Sequence, residues 1–508
     1  MYGFISDSID VYTKKHKPVM TAKPELLSTS LDFNLEYVKR SFDGTADLTV
    51  HEIRLKSVRA AIISIDNMVS KDMLSLGIMK PLLSFDFPSD DGNIIDIIRE
   101  SVIYSDDIKE ITSFNELFSF IMSGYAVIAV DGSNTMLSAG IQGFKSRGIS
   151  EPDSDIVRRG SKEGFVEPLH TNMALLRRRL KTTELRFEIL NVGEISKTEV
   201  CICYLNDRVS PEILSRVKAR LHEFDADTAL AAGYLVPYLE EKGRASLFST
   251  VGITERPDTL CGKLTEGRIG IILDGVPCAL MVPYLFAEYF QTIDDYSNRP
   301  YFAFFTRWLK YAAFFVSLML PGVYVALGIF NPEMFPSLML NKIAGSIAAT
   351  PLSLMTETVM ILLVYEVMRE SGLRMPQPLG YAVSIVGGLV VGDTAVSAGL
   401  IGAPTLMVVA AAAICSYIIP DLYAPVAVLR LLFTIFAGIC GIWGVALLFC
   451  IVFVDICSKN SYGIPYTSPV TPWGVGAVRD VFTRAGWKTL SARSVRVQNM
   501  PGAHVKGV

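Results

Sequence analysis

About three hundred residues of mixed polar and apolar sequence precede a hydrophobic block running from about Tyr311 to Ile456, and this asymmetry constrains everything else. Within the block, Tyr311–Phe330, Tyr381–Ile401 and Ala424–Val454 hold few ionisable residues. Each is near or above the roughly 20 apolar residues that a helix needs to cross a bilayer. A soluble core helix would show polar positions every few residues, and these stretches do not. The chain is therefore expected to be an integral membrane protein with a large water-exposed front half. Its mean hydropathy of +0.37 averages two unlike halves and describes neither.

The formal net charge of −4 gives no sign of nucleic-acid binding. Met1-Tyr-Gly-Phe-Ile-Ser-Asp lacks the basic-then-apolar pattern of a signal peptide. The helix at Tyr311 is thus expected to be the first translocated element, with the front half left in the cytoplasm. Cys201 and Cys203 lie in a strand-like run, and no cysteines show the Cys-x-x-Cys spacing of a zinc site. The five histidines are scattered. No catalytic residue, metal site or cofactor is expected, and the chain does not read as an enzyme.

The front half repeats itself. Arg59-Ala-Ala-Ile-Ile-Ser-Ile-Asp-Asn-Met-Val-Ser70 matches Glu199-Val-Cys-Ile-Cys-Tyr-Leu-Asn-Asp-Arg-Val-Ser210 in pattern. Each is an apolar strand, a polar turn and a Val-Ser that opens an amphipathic helix, the serine placed to cap free backbone N–H groups. Gly124-Tyr-Ala-Val-Ile-Ala-Val-Asp-Gly132 matches Gly267-Arg-Ile-Gly-Ile-Ile-Leu-Asp-Gly275, a strand ending in the Asp-Gly of a tight turn. The two matches share nearly the same offset. The expected fold is an α/β soluble half made of two related subdomains, 31–150 and 184–300, followed by an α-helical transmembrane domain, 301–456. Residues 1–30 read as a loose tail, 151–183 as a basic connector with a helix, and 457–508 as a basic cytoplasmic tail.

Arg307, Trp308 and Lys310 mark the start of the first span as a cytoplasmic interface. The stretch Leu338–Val367 holds Pro351 and Glu357, and Arg369 and Arg374 mark a return to the cytoplasm. The tail after Ile456 carries seven Lys/Arg against one acidic residue, Asp480, which favours a cytoplasmic C-terminus. With both ends inside, the number of crossings is even: four plus a re-entrant element, with six as the alternative.

Ser384-Ile-Val-Gly-Gly-Leu-Val-Val-Gly-Asp-Thr-Ala-Val-Ser-Ala-Gly399 stands apart. Ser384, Gly388 and Gly392 form a small-residue stripe that lets helices approach closely. Asp393 and Thr394 place polar groups at membrane depth, where a carboxylate costs about 2.5–3.5 kcal/mol on insertion scales. Two readings stand: a helix lining an ion path, with Asp393 drawing cations, or a tightly packed internal helix. For Glu357 a structural role is favoured, satisfying N–H groups freed where a helix breaks near Pro351.

Several segments resemble the A subunit of the GerA-type spore germinant receptors. They are Thr254-Glu-Arg-Pro-Asp258, Leu264-Thr-Glu-Gly-Arg268, Leu273-Asp-Gly-Val-Pro277, Asp294-Asp-Tyr296 and Arg159-Gly-Ser-Lys-Glu-Gly-Phe-Val-Glu167 with Asn172 and Arg177-Arg-Arg179. Arg369-Glu-Ser-Gly-Leu-Arg-Met-Pro376, Ala382–Asp393 and Tyr462-Gly-Ile-Pro-Tyr466 complete the match, which covers nearly the whole chain in order. Ser161 stands where the family often has Pro, and Gly243–Thr250 departs from the family's Ser-rich, Pro-containing stretch.

The resemblance implies a multi-pass protein of the spore inner membrane. It also implies assembly with a transporter-like, nutrient-binding B subunit and a lipoprotein C subunit, and a homo-oligomeric ring forming a nutrient-gated channel for monovalent cations. Asp393 would then supply the ring charge, Gly388 and Gly392 the close approach, and Val390 and Val391 an apolar gate, with Ser384 and Thr394 on the same lining. Arg158, Arg159, Glu163 and Arg177 are candidates for an inter-domain or assembly role. So are Glu255, Arg256 and Asp258, for which a salt-bridged structural turn is favoured over ligand binding. The competing class is a non-conducting membrane scaffold that relays the nutrient signal to a separate channel. A secondary transporter predicts inverted repeats in the membrane half, and the repeat lies only in the soluble half.

Overall fold

The computed structural model describes residues 25–55, 58–87, 94–105, 107–143, 152, 155, 157, 160–240, 247–374, 392–473, 480–484 and 496–505. The chain divides into two compact units: one of Met1–Asp43, Asp47–Phe144 and Lys181–Thr183, the other of Gly44–Ala46, Lys145–Leu180 and Glu184–Val508.

The first unit is built on strands β1 (Leu48–Leu55), β2 (Val58–Ile65), β3 (Ile108–Ile111), β4 (Tyr125–Val130) and β5 (Met136–Gly140). All pairings are antiparallel, in the order β1-β2-β4-β5-β3. The apolar run Ala60–Ile65 is buried on both sides of the pleat, which is why β2 reads as continuous rather than alternating. Helix α1 (Leu31–Ser41), a helical run from Lys71 to Ser84 with a π-helical middle, a second helical run from Ile94 to Val102 and α2 (Phe114–Ile121) pack with this sheet.

In the second unit, α3 (Leu169–Arg179) precedes β6 (Leu185–Val192) and β7 (Thr198–Leu205). Helix α4 (Pro211–His222), β8 (Gly252–Thr254), α5 (Pro257–Thr265), β9 (Ile269–Leu273) and β10 (Ala279–Val282) follow. The order is β6-β7-β9-β10-β8, the first sheet's order over again. The fold is thus two related α/β subdomains followed by a helical membrane half.

Matching hydrogen bonds show how far the repeat extends. Asp131 Oδ1 accepts from Leu31 N at the start of α1 (3.1 Å), and Asp274 Oδ1 accepts from Leu169 N at the start of α3 (2.9 Å). The following glycines, Gly132 and Gly275, both sit at positive φ, as a tight turn requires. Asn34 clasps the backbone of Ser28 through both its amide groups, and Asn172 clasps Val166 in the same way, six residues back in each case. Helix α3, which the sequence places in a connector, is therefore the counterpart of α1 and the first element of the second repeat. The serine caps do not match: Ser70 accepts from Met73 N, whereas the Ser210 hydroxyl is buried with no hydrogen-bond partner among the described residues and Pro211 starts α4.

The membrane half contains α6 (Pro300–Phe330), α7 (Ser337–Ala349), α8 (Leu354–Arg374), α9 (Ala403–Ser416) and α10 (Tyr423–Ser458). Among the described residues, Pro300–Phe330 and Pro420–Ser458 are long and apolar enough to cross a membrane, and α7 meets α8 at 81°. Thirty-six residues of straight helix would reach about 54 Å, far beyond the roughly 30 Å hydrocarbon core. Helix α10 resolves this by folding at Gly441, whose φ of 63° and ψ of −145° belong to backbone that essentially only glycine adopts. A Cβ on Gly444 would collide with the Phe436 carbonyl oxygen. Residues eight apart in a straight helix are about 12 Å apart, so the chain doubles back.

Contacts with α6 orient the two arms. Gly322 packs on Phe433 and Gly441 on Phe330, so the first arm runs parallel to α6. Phe315 then faces Phe449 at 6.5 Å between ring centroids, on the returning arm. Asp421, before the first arm, lies close enough to Asp155 for their charges to interact. Lys459, after the second arm, donates to the Phe248 carbonyl. Both ends of this helical hairpin therefore lie against the second subdomain.

The segment after α10 is woven into that subdomain. Tyr462, Ile464, Val497 and Val505 belong to the same apolar core as Val209, Ile213, Val217 and Leu221. Gln498 Nε2 donates to the Arg208 carbonyl at 2.8 Å, and Tyr462 Oη to that of Leu239 at 2.7 Å.

Candidate functional site

Among the soluble candidates, Arg256 is the most constrained. It occupies the N-cap position of α5, is 1 % exposed, and holds Asp258 through Nε (3.1 Å) and Nη2 (2.6 Å). Its other bonds go to the carbonyls of Ser161 and Asp155. In the first unit the same N-cap place, before α2, is filled by Ser113, whose hydroxyl accepts from Glu116 N. Burial raises the nearby Asp155 carboxyl above its ordinary value, against the pull of its bond to Thr254 and the Arg256 charge.

Glu163 reaches Arg178 (2.5 Å) and Arg179 (2.6 Å). Burial alone would raise its carboxyl, but the two guanidinium groups outweigh it and hold the value below the ordinary one. Arg177 is fully buried, with its guanidinium 4.9 Å from the Phe187 ring centroid. The Glu255 carbonyl accepts from Phe165 N. Glu163, Arg177, Glu255, Arg256 and Asp258 thus all lie in the second unit. Arg158 and Arg159 lie outside the described residues.

In the membrane half, Ser384, Gly388, Val390 and Val391 lie outside the described residues. Gly392 begins a described helical stretch on which Asp393 and Thr394 are exposed. Glu357 is 1 % exposed, and its Oε1 accepts from Gly402 N at 2.7 Å. Gly402 is the N-cap of α9, so the carboxylate closes a helix start. The start it closes belongs to another helix rather than to the one broken near Pro351. Tyr324 Oη lies 3.3 Å from Thr405 Oγ1 in the first turn of α9.

Two clusters escaped the sequence reading. Arg430, 1 % exposed on the first arm of α10, pairs with Glu366 at 2.7 Å, and Tyr423 donates to the same carboxylate at 2.7 Å. Arg369 lies over the Tyr423 ring at 3.4 Å. Since Leu354 packs on Gly328 and Met355 on Gly438, α8 runs from the hairpin's turn toward its base. The second cluster is at the start of α6, where the fully buried Arg307 bonds Asp295 and Asp480, each at 3.0 Å. Tyr296 donates to Asp480 at 2.8 Å, and the Phe482 ring stacks on Trp308. Asp480, the one acidic residue of the tail, thereby fastens it to the first membrane helix. The signal that could have found both clusters is charge scarcity, because a lone charge in an apolar or oppositely charged stretch needs a partner.

The arrangement contains buried ion pairs, an exposed carboxylate at Asp393 and a buried one at Glu357. Among the described residues no group of three or more His, Cys, Asp or Glu side chains could hold a metal ion. Such a set suits ion handling or helix packing.

Residues 36–495 match the family model described as Bacillus/Clostridium GerA spore germination protein. The chain is 34% identical over 470 residues to Spore germination protein KA of Bacillus subtilis (strain 168), covering 92% of this chain and 86% of that protein. It is 31% identical over 484 residues to the uncharacterized membrane protein YfkQ of the same organism, covering 95% and 92%. Among solved structures, the N-terminal domain of the A subunit of the Bacillus megaterium spore germinant receptor GerK3 aligns with 30% identity and a TM-score of 0.41. That alignment covers 52% of this chain and 99% of the other.

Proposed function

This chain belongs to the GerA family of spore germination proteins, and from that premise we propose that it is the A subunit of a nutrient-responsive receptor. Copies of it assemble into a ligand-gated channel that releases monovalent cations and so triggers germination. A transporter-like B subunit binds the nutrient and a lipoprotein C subunit completes the complex. The complex lies in the spore inner membrane, with both ends of the chain toward the spore core. Four crossings fit the described helices: α6, α8 and the two arms of α10.

The observation that carries the reading is the charge balance of the membrane half. Tyr311–Ile456 contains Glu333, Glu357, Glu366, Glu370, Asp393, Asp421 and Asp455 against Lys342, Arg369, Arg374 and Arg430. Glu366 holds Arg430, and Glu370 holds Arg374 at 2.7 Å. Asp393 remains exposed on its helix with no ion pair among the described residues. An unpaired carboxylate at membrane depth faces protein or water rather than lipid, and rings of acidic side chains suit cation pores. Asp393, Thr394 and Gly392, with Ser384, Gly388, Val390 and Val391, form the proposed lining. Arg158, Arg159, Glu163, Arg177, Glu255, Arg256 and Asp258 serve assembly and the relay from the soluble half.

Potassium release from nutrient-triggered spores carrying Asp393→Asn tests this, with protein level and complex assembly checked. Asparagine keeps the volume and removes the charge. We expect flux to fall by about tenfold or the potassium-to-sodium preference to shift. Unchanged flux and preference in an assembled complex would favour the non-conducting scaffold.

A further inference from the structure

Arg369, half-buried near the end of α8, is a cation without a carboxylate. Its guanidinium lies over the Tyr423 ring at 3.4 Å and makes no ion pair or hydrogen bond among the described residues. Both acidic neighbours on its helix are taken. Glu366 accepts from Arg430 Nη2 through one oxygen and from Tyr423 Oη through the other, each at 2.7 Å. Glu370 is held by Arg374. The sequence from Met375 to Val391, outside the described residues, contains no Asp or Glu. A guanidinium stacked by its face on an aromatic ring keeps its N–H donors free along its edge, where they match an oxyanion in bidentate fashion.

The surroundings place that edge at a membrane surface. Along the outer face of α8, Leu363 and Val367 are exposed and apolar, and one turn later Glu370 and Arg374 are exposed and charged. The change from lipid-compatible to water-compatible side chains thus falls at Arg369. On α9 the exposed Ile414 gives way to Tyr417, 57 % exposed, at the helix's end. Tyr365 Oη donates to Tyr417 Oη at 2.9 Å, and the Tyr417 and Tyr423 rings stack at 6.3 Å between centroids. The two helices therefore reach the boundary at one level, and tyrosine is enriched where hydrocarbon meets headgroups. Arg430, Arg369 and Glu366 together leave the cluster one positive charge in excess.

We propose that Arg369, braced on Tyr423, binds the phosphate of an anionic phospholipid whose acyl chains lie along the exposed apolar side chains of α8 and α9. Basic sites between membrane helices take anionic headgroups in this way. Arg430 is neutralised by Glu366 and holds the platform in place, and Arg369 carries the charge that the phosphate meets. The apolar shelf formed by Leu363, Val367 and Ile414 favours a lipid over a free phosphate. Through Tyr423 the bound headgroup fastens α8 to the first arm of α10. Which leaflet holds the lipid rests on the topology proposed above; the binding does not.

The full-length chain in phosphatidylcholine nanodiscs, with and without phosphatidylglycerol, tests this by melting temperature and by native mass spectrometry of retained lipid. We expect phosphatidylglycerol to raise melting by about 3 °C or more. Arg369→Gln should melt like the native chain in phosphatidylcholine, lose most of that rise and retain less phosphatidylglycerol. Arg374→Gln removes a more exposed basic neighbour and should keep both effects. Arg369→Lys preserves the charge without the flat, forked donor edge, and should need about tenfold more phosphatidylglycerol for half the rise. Equal melting of the native chain in both lipids would overturn the proposal. So would equal losses in Arg369→Gln and Arg374→Gln, which would mean a diffuse basic surface. Inorganic phosphate that reproduces the rise in phosphatidylcholine alone would overturn the lipid assignment in favour of a free anion. If Asp393→Asn leaves spore flux unchanged but the phosphatidylglycerol effect holds, the channel reading fails and this site stands.

Discussion

The two five-stranded sheets start from one plan and finish differently. Both use the same strand order, the same Asp-to-helix bond and the same asparagine clasp six residues back. The first closes its core with its own residues: Leu74, Ile78 and Leu82 pack with Ile95, Ile98 and Val102. In the second, the equivalent helix face of Ile213, Val217 and Leu221 shares a core with Val497 and Val505, which arrive only after the membrane half. The second also replaces a capping serine with the buried Arg256 and adds the Glu163–Arg178–Arg179 group. Shared elements define the fold; the additions cluster in the repeat from which the membrane helices depart.

Removing residues 496–508 should break this comparison most visibly. Val497 is fully buried and Val505 nearly so, and losing both exposes apolar surface worth about 4 kcal/mol. Hydrogen exchange on the full-length protein should show lost protection in α4 and β9 and none in β4. Equal loss in both sheets would mean that the tail is not specific to the second.

Arg256→Ala against Ser113→Ala sharpens the contrast at a single equivalent position. The arginine change breaks a buried pair and strands two carbonyls, costing about 3 kcal/mol, whereas the serine change removes one helix cap worth about 1 kcal/mol. Thermal unfolding of the two full-length variants ranks them. Similar shifts would show that Arg256 acts only as a cap.

The smallest effect is pH dependence. Glu163 has its carboxyl held below the ordinary value, so its contribution is complete above the unfolded value and is lost as pH falls through the folded one. Acidification below the ordinary glutamate range, about pH 4.3, should therefore loosen the start of the second repeat. Glu25, exposed and three residues before the Ser28–Asn34 clasp, has no such pair among the described residues. Amide exchange near Phe165 should accelerate in acid, and that near Leu27 should not. Glu163→Gln should abolish the difference.

Much of this was legible from residue order. Apolar strands running into Val-Ser, and strands ending in Asp-Gly, gave away two related α/β units, because turn chemistry and strand burial leave local traces. The start of each repeat did not. Asn34 and Asn172 act through backbone contacts that composition does not mark, so α3 looked like a basic connector. Ala424–Val454 reads in the sequence as a single apolar stretch long enough to cross a bilayer, because hydropathy registers apolar content, and the residue that reverses the chain, Gly441, resembles any other membrane glycine. For the candidate site, Glu357 was visible as a charge out of place, but Gly402 lies 45 residues away and only the fold joins them. The bond from Asp480 to Arg307 spans 173 residues and was hidden for the same reason.

The tail seated in the second core has a consequence for how the protein is made. The surface formed by Val209, Ile213, Val217 and Leu221 is synthesised long before the residues that help cover it. The ribosome must deliver every membrane helix first, and each must insert so that the chain returns to the side it left. A product with a missed or extra crossing puts its last residues across the bilayer from their groove, leaving apolar surface open to chaperones and proteases. Correct insertion is thereby proofread by the completion of a soluble core.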